Sequence, residues 1–268
     1  MIELAPLHKT GLAIRSPIMS AAEMAGYSTE YADVIDWSKW GAVVTNRVTA
    51  RPRQPTSEPV TIDLGVSLFV HTGIPNPGIA AAIREHQQAW TRMGVPVIVH
   101  IAALNPDDVA ECVVRLVIID SVAGVELGVR DDEDEGAFVA LIRAAVEAGG
   151  KPVLARLPLD RAVEYAPACA EAGADALVIA SPPRGTLMHK GEFVSGRLYG
   201  RGTLPLALRA VREVAQIVNV PIVASGGVHT VEDARAMLAA SASAVQIDSL
   251  IWRDPKAAQA IAEAFATT

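Results

Sequence analysis

Short apolar runs alternate with amphipathic segments along most of the chain. The runs are rich in Val and Ile, as expected for strands that are buried on both faces. Eight strands are predicted, at Pro17–Ala21, Gly41–Thr45, Val97–Ile101, Val122–Leu127, Pro152–Arg156, Ala176–Ala180, Pro221–Ala224 and Ala244–Ile247. Segments of helical period lie between them, among them Glu30–Trp37, Ala80–Trp90, Asp107–Val117 and Leu206–Ile217. Apolar strands separated by helices indicate parallel βαβ units, and eight such units close a barrel.

Helix-start signals agree with these boundaries. Asn105 precedes a proline at the first helical position, and Asp254 does the same before the last helix. Thr230, three residues before Asp233, is typical of a capping box. No linker divides the 268 residues, which is a usual length for one barrel. The sequence therefore predicts a single-domain (β/α)₈ TIM barrel over residues 1–268, with its site at the C-terminal ends of the strands.

Two connections are too long to be simple turns. They run from Arg47 to about Pro77 and from Ser181 to about Gly202. Both follow predicted strands, so both are expected on the face where barrels carry their sites. Long loops there are usually substrate lids or binding loops.

Composition narrows the possible partners. The net charge is −7, so we expect no nucleic acid as partner, because phosphate binding needs a face rich in Lys and Arg. No apolar run reaches roughly 18 residues and no signal-peptide profile is present, so no membrane association is expected. Cys112 and Cys169 lie within apolar helical patterns, which suits buried thiols in a reducing cytoplasm.

The strongest chemical motif is a glycine pair at the end of the seventh predicted strand. Gly226 and Gly227 let the backbone approach a ligand closely, and the amides that follow favour an anion. The eighth strand ends at Asp248 and Ser249, before a short helical segment at Leu250–Trp252. Together the two strand ends predict a phosphate site. The alternative is a tight strand-to-helix turn with no ligand.

Four stretches, in order along nearly the whole chain, resemble the dihydroorotate dehydrogenases. They are Gly41–Thr45 with Val48-Thr49 and Arg51–Arg53, Gly73–Gly78, Gly200–Arg209, and Val220–Val228 with its continuation to Gln246. The resemblance implies an FMN bound across the top of the barrel and hydride transfer between the flavin and a small-molecule substrate. It also implies an electron-transfer partner or a diffusing donor, since the chain has no Rossmann or iron–sulfur motif. Barrels of this family often pair, so a homodimer is possible.

Carried over position by position, the resemblance assigns cofactor contacts. The implied FMN-binding residues are Ala21, Ala22, Thr45, Arg156, Gly200, Ser225, Gly226, Gly227, Asp248 and Ser249. Arg156 stands where the family has a lysine, and a cation there would stabilise an anionic reduced flavin. Tyr199 and Gly200 replace the Ser-Gly that meets the ribityl-phosphate.

Departures from the family pattern point away from dihydroorotate as substrate. Val70, Gly128 and Ser181 stand where the family has substrate-reading asparagines, and Asn46 matches a lysine that helps hold orotate. Each polar group of the substrate that is left without a hydrogen-bond partner costs roughly 1–3 kcal/mol of binding free energy. Asp248 replaces a glycine at the phosphate, which sets a carboxylate against a dianion unless it points away.

Three residues are candidates for acid–base work or substrate contact. Asp131 falls at or next to the family's catalytic base, although it also reads as an acid near the start of the following helix. His100 ends the third predicted strand, and His71 precedes the Gly73 turn. For each histidine two roles are open: contact with the flavin or substrate, or a purely structural side chain. Glu23, in the first loop where the family has glycine, is also expected to reach the pocket.

Three functions are therefore open. The leading hypothesis is an FMN-dependent oxidoreductase of this family that acts on a substrate other than dihydroorotate. The second is a non-redox barrel, an isomerase, lyase or synthase, that uses the phosphate site for a phosphorylated metabolite. The third is a binding subunit that has lost catalysis. The six histidines show no metal-ligand spacing, so no metal site is expected.

Overall fold

Eight parallel strands close into a barrel in the computed structural model, which describes residues 1–27, 30–102, 105–128 and 133–266. In chain order the strands are β1 (Ile2–Glu3), β2 (Ala13–Ile14), β3 (Ile18–Ser20), β4 (Val43–Val44), β5 (Val60–Asp63), β6 (Leu68–His71), β7 (Val97–Ala102), β8 (Val122–Gly128), β9 (Val153–Pro158), β10 (Ala176–Ser181), β11 (Arg184–His189), β12 (Glu192–Tyr199), β13 (Ile222–Ser225) and β14 (Ala244–Ile247). The barrel order is β3-β14-β13-β10-β9-β8-β7-β4. A parallel bridge between Met19 and Ala42 joins the two ends of that order.

Helices follow most of the barrel strands and pack around them. They are α1 (Ile79–Arg92), α2 (Pro106–Val117), α3 (Glu135–Ala148), α4 (Ala162–Glu171), α5 (Leu204–Val214), α6 (Val231–Ala239), α7 (Leu250–Arg253) and α8 (Pro255–Phe265), with 3-10 helices at Trp37–Lys39 and Arg201–Thr203. Asn105 and Asp254 cap α2 and α8 as predicted, and Thr230 forms the capping box with Asp233. The (β/α)₈ prediction is confirmed, with each predicted strand found within two residues of its expected ends.

The helix predicted at Glu30–Trp37 is wrong. In the described part of that segment, hydrogen-bonded turns lead into the 3-10 helix Trp37–Lys39. The Asp36 carboxylate accepts hydrogen bonds from the Ser38 backbone N–H and hydroxyl, at 3.0 and 2.6 Å, and this local bonding competes with a continuous helix. Ile35 and Trp37 are buried, so the apolar pattern there reflected burial alone.

Each of the two long connections, which the sequence suggested were loops, contains a β-hairpin. The hairpin β5–β6 follows β4, and the hairpin β11–β12 follows β10. Antiparallel pairing of β6 with β12 joins them into one four-stranded sheet, β11-β12-β6-β5. Phe69 of β6 is fully buried, and a Cβ atom on Gly196 would lie only 2.7 Å from its ring. The sheet therefore depends on pairing between segments distant in sequence, which local pattern does not reveal.

Side chains that point into the barrel form two layers, because successive strand residues alternate between its inside and outside. The layer toward the N-terminal strand ends is apolar and includes Ile98, Leu154, Val178, Val223 and Ala244, packed with Leu4, Leu12 and Ile14 from the N-terminal hairpin. One step further along the same strands, toward their C-terminal ends, the layer becomes polar. Its members are His100, Glu126, Arg156, Ser225 and Gln246.

Candidate functional site

The polar layer of the barrel is one hydrogen-bonded network centred on Glu126. One carboxylate oxygen lies 2.8 Å from His100 Nδ1 and 3.3 Å from Arg156 Nη1. The other accepts a hydrogen bond from Gln246 Nε2 at 2.6 Å. Arg156 also donates to Gln246 Oε1 at 2.5 Å, Ser225 Oγ at 2.9 Å and the carbonyl of Ala180 at 3.2 Å. The network thus satisfies its buried charges internally.

Electrostatics fix the protonation of this network. Burial opposes ionisation of Glu126, but the adjacent Arg156 guanidinium and the hydrogen bonds from His100 and Gln246 lower the pKa of its carboxyl to about 2. Burial also lowers the pKa of His100, and the Glu126 carboxylate offsets this only in part. Near neutral pH a neutral His100 therefore donates from Nδ1 to an ionised Glu126.

The predicted phosphate site is a contact between the chain's own groups. The Gly227 backbone N–H donates to Asp248 Oδ2 at 3.0 Å, and the Ser249 hydroxyl donates to Asp248 Oδ1 at 3.1 Å. Asp248 is only 3% exposed. Its carboxylate therefore points toward the glycine pair, not away from it.

The two glycines serve close packing as well as a tight turn. A Cβ atom on Gly227 would lie 2.6 Å from the Leu204 nitrogen and 2.8 Å from the Gly200 carbonyl oxygen. A Cβ atom on Gly226 would lie 3.0 Å from Ala207 Cβ. The space beside the strand end is therefore occupied by the start of α5 and the segment before it.

These observations test whether the residues fit FMN. The structure does bring the ten predicted cofactor residues together at the C-terminal strand ends, and all ten are buried. The seven that are not glycine are at most 5% exposed. The Gly227 amide is bonded to a carboxylate, and Arg156 is bonded to four neighbouring groups. In this arrangement the residues do not fit the cofactor that the resemblance implies.

An open cleft lies above this closed region, lined by the four-stranded sheet, the loops after β3 and β4, and α7. Its volume is about 460 Å³, within the usual range for small-molecule sites. Four arginines line it, namely Arg47, Arg53, Arg184 and Arg197. Glu23 is the one carboxylate among the described residues that line it. Among the described residues, the lining therefore carries more arginines than carboxylates, in a chain of net charge −7.

One wall of the cleft is ordered around Glu23. Its carboxylate forms an ion pair with Arg47 at 2.5 Å and accepts a hydrogen bond from the Tyr199 hydroxyl at 2.9 Å. The Tyr199 ring packs against Trp252, with ring centroids 5.6 Å apart. Burial and the nearby Glu23 raise the pKa of Tyr199, so its hydroxyl remains a donor. This wall combines an aromatic surface with a neutralised ion pair.

The three candidate catalytic residues are separated. His71 lines the cleft and is half-buried. His100 is 2% exposed and belongs to the network below, where a Cβ atom on Gly128 would meet its ring at 2.5 Å. Asp131 lies outside the described residues. His71 thus lies at the cleft and His100 faces the barrel interior, and the catalytic roles of both stay predictions.

Sequence reasoning missed the centre of the network and part of the cleft. Glu126 is a lone charge inside an otherwise apolar strand, which is a signal for a buried paired carboxylate. Arg47 and Trp252 also line the cleft, and no signal in the sequence marked them as site residues. Among the described residues, no group of three or more potential ligands is placed to hold a metal ion. No described helix is both long and apolar enough to cross a membrane.

A barrel with a cleft at its C-terminal face is the architecture of an enzyme or ligand-binding barrel, and comparison with known proteins specifies the family. A model of the family "Dihydroorotate dehydrogenase" matches residues 7–268. The dihydroorotate dehydrogenase B (NAD(+)) catalytic subunit of Geotalea uraniireducens is 32% identical, over 96% of this chain and 90% of that protein. The same subunit of Pelobacter propionicus is 32% identical, over 94% and 89%. The chain belongs to the dihydroorotate dehydrogenase family.

Proposed function

We propose that this chain is a ligand-binding member of the dihydroorotate dehydrogenase family that works without a flavin at the strand ends. Its ligand or substrate is a small molecule, other than dihydroorotate, that binds in the arginine-lined cleft. The observation that carries the proposal is the hydrogen bond from the Gly227 amide to the buried Asp248 carboxylate.

Charge explains why this contact matters. A phosphate at the glycine pair would lie against Asp248, and two like charges 4 Å apart repel by about 4 kcal/mol at an effective dielectric constant near 20. Moving the carboxylate away would leave it buried without its amide donor, or would require the strand end to open. Either route weakens phosphate binding at this position.

The Arg156 network supports the same proposal. Both Nη atoms of Arg156 already donate to neighbouring groups, so a flavin edge that met them would compete with Glu126, Gln246 or Ser225. Removing one partner of a buried, charged hydrogen bond lowers the free energy of unfolding by far more than the bond contributed to it, because the other partner stays buried and unpaired. The Glu126 carboxylate and the two Nη atoms of Arg156 are therefore hydrogen-bonded without a ligand.

The positions expected to read the substrate support a ligand other than dihydroorotate. Val70 and Asn46 line the cleft. Ser181 is 7% exposed at the end of β10, and Gly128 packs against His100. Val70, Gly128 and Ser181 lack the side-chain amide, and Asn46 lacks the ammonium group, that the resemblance associates with orotate at these positions, whereas the cleft supplies guanidinium groups.

The deciding experiment is the visible spectrum of the purified protein, followed by its melting temperature with and without added FMN. We expect a colourless protein whose melting temperature FMN leaves unchanged, because a ligand that binds only the folded state would raise it. The surface variant Asp120→Gly is the matched control for Asp248→Gly, which removes the carboxylate at the glycine pair. A natural protein that is yellow and releases FMN on denaturation would overturn the proposal.

The second candidate function is flavin-dependent oxidoreduction, and the family match over residues 7–268 favours it. Members of the family use flavin, and the relatives are named as catalytic subunits, which supports a partner subunit for electron transfer. This candidate requires the strand ends to rearrange around FMN. A flavin spectrum that Asp248→Gly strengthens would support it. The homodimer and the cytoplasmic location stay predictions.

A further inference from the structure

We propose that the outer part of the β11–β12 hairpin, residues 186–195, is a lid that closes the mouth of the cleft. The lid bends at two facing glycines, Gly185 and Gly196, and packs Phe193 against Ile74. The inference deepens the proposed function, on which it rests in that the cleft is taken as the ligand site. Strand register, apolar exposure and the packing of the two glycines support it.

The lid extends past the end of the four-stranded sheet. β12 pairs with β6 through Arg197–Tyr199, whereas its pairing with β11 continues to Glu192. Residues 192–195 therefore lie beyond the last pair with β6, and they span about 14 Å as extended strand. A two-stranded ribbon has little stability of its own, so its position depends on what it packs against.

An apolar pair is exposed on the cleft side of the lid. Phe193 is 77% exposed, and Met188, directly opposite it on β11, is 58% exposed. Alternate residues of a strand share a face, so Phe193 lies on the same face as Ser195 and Arg197, which line the cleft. Covering such a pair is favourable because its apolar surface leaves water. The exposed pair therefore favours movement of the lid toward the cleft.

The segment after β6 forms the other side of the mouth. Gly73 and Ile74 have positive φ angles of 77° and 61°, which take the chain out of the extended conformation and end its pairing with β12. Continued past this end, the register that pairs Arg197 with Val70 sets Phe193 opposite Ile74 on the cleft face. Ile74 lines the cleft and is half-buried, so it offers an apolar surface on which Phe193 can pack.

The two facing glycines lie at the base of the lid. Gly196 is fixed in the sheet, since a Cβ atom there would lie 2.7 Å from the Phe69 ring. At Gly185 a Cβ atom would lie 3.6 Å from the Leu198 side chain, an ordinary contact, so packing does not require a glycine there. Glycine inside a strand weakens the strand and allows it to bend. The base therefore stays in the sheet while the ribbon beyond it bends.

Closure is expected to be transient when the cleft is empty. It would take the exposed Arg184 guanidinium and the half-buried His71 ring out of water, which is unfavourable without a ligand to replace that water. With a ligand in the cleft, the closed lid would exclude water from it. The structure shows the open arrangement, with Phe193 exposed.

Disulfide trapping detects a transient closed state. Phe193→Cys is combined with Ile74→Cys, and the chain's own Cys112 and Cys169 are buried. Two cysteines cross-link when their Cα atoms come within about 7 Å with the Cβ atoms facing each other. The matched control is Glu192→Cys with Ile74→Cys, because residue 192 projects from the opposite face of the ribbon. Under mild oxidation we expect the Phe193 pair to cross-link within one chain about tenfold faster than the control.

Two results would overturn the inference. Equal rates for the two cysteine pairs would mean that the ribbon does not close with its cleft face toward Ile74. Cross-links formed mainly between chains would mean that a second copy, and not the cleft of the same chain, covers Phe193. Non-reducing electrophoresis and mass spectrometry separate these cases, and circular dichroism verifies that each variant folds.

The hinge and the apolar pair are tested in the Phe193→Cys, Ile74→Cys protein. Gly185→Ala fits the available space but restricts the backbone, so cross-linking should slow about threefold without a lower melting temperature. Met188→Ser should also slow it, because closure then covers less apolar surface. The control Ile118→Ser removes an exposed apolar side chain at the end of α2 and should leave the rate unchanged. Unchanged rates in both lid variants would contradict the proposed motion.

The outcome is distinguishable from failure of the proposed function, because trapping needs neither FMN nor a ligand. A protein that contains FMN yet traps its lid within one chain would refute the flavin-free function and keep the lid. A colourless protein whose lid is not trapped would do the reverse.

Discussion

The glycine pair at the end of β13 and the cleft above it lie on the same face of the barrel, but their charged groups are arranged differently. At the glycine pair the chain supplies both the anion, Asp248, and the donor, Gly227, and buries them. In the cleft, four arginines and one carboxylate, Glu23, line an open space among the described residues. The comparison shows that an internal carboxylate can occupy the amide at a strand end while the neighbouring hairpins line an open cleft on the same face.

The closed region should be sensitive to loss of its central charge. Glu126→Ala leaves Arg156 buried without its carboxylate, and we expect about 3–5 kcal/mol lower free energy of unfolding. Urea denaturation measures this. Glu147→Ala, on the exposed face of α3, is the control and should change stability by less than about 0.5 kcal/mol. Equal stability of both variants would mean that the barrel interior tolerates an unpaired guanidinium, contrary to the network described above.

A smaller effect is expected at the glycine pair itself. Asp248→Ala removes the acceptor of the Gly227 amide and should cost about 1–3 kcal/mol, since the donor stays buried. Asp248→Asn keeps an acceptor oxygen and should cost less. Thermal or urea unfolding of the two variants side by side gives the comparison. If Asp248→Ala were as stable as the natural protein, the carboxylate would not be the group that closes this position.

The smallest expected change in stability is at the cleft, and there the substitution should increase the free energy of unfolding. Without ligand, Arg184→Gln relieves the repulsion from Arg197 and should raise the free energy of unfolding by about 0.2–1 kcal/mol. The gain should shrink as salt is added, because exposed charges are screened. A loss of stability on this substitution would indicate that Arg184 has a structural role, and the contrast between the two regions would weaken.

Much of the architecture could be predicted because its signals are local. Val- and Ile-rich runs marked all eight barrel strands, and Asn105, Thr230 and Asp254 marked helix starts. The hairpins β5–β6 and β11–β12 could not be predicted in the same way. Their sheet is held by pairing across more than a hundred residues and by Phe69 packing on Gly196, which no local period encodes.

For the candidate site, too, some features could be predicted from the sequence and others could not. Family resemblance located the strand-end residues, and the glycine at Asp248's position in the family already raised the question of where the carboxylate points. Only the folded chain shows that it bonds to Gly227 and that Glu126 neutralises Arg156. His71 was predicted near the substrate and does line the cleft, whereas His100 was expected at the barrel mouth and is sealed inside.

By itself, the sequence determined the order of strands and helices, the helix caps and the membership of the family, because each depends on neighbouring residues or on residue identity at matched positions. Tertiary structure decided which charges meet. Whether an arginine faces a carboxylate, an amide or another arginine depends on strand register and barrel closure, which bring together residues far apart in the chain. Those contacts set the local electrostatics, and the electrostatics separate a closed strand end from an open cleft lined by arginines.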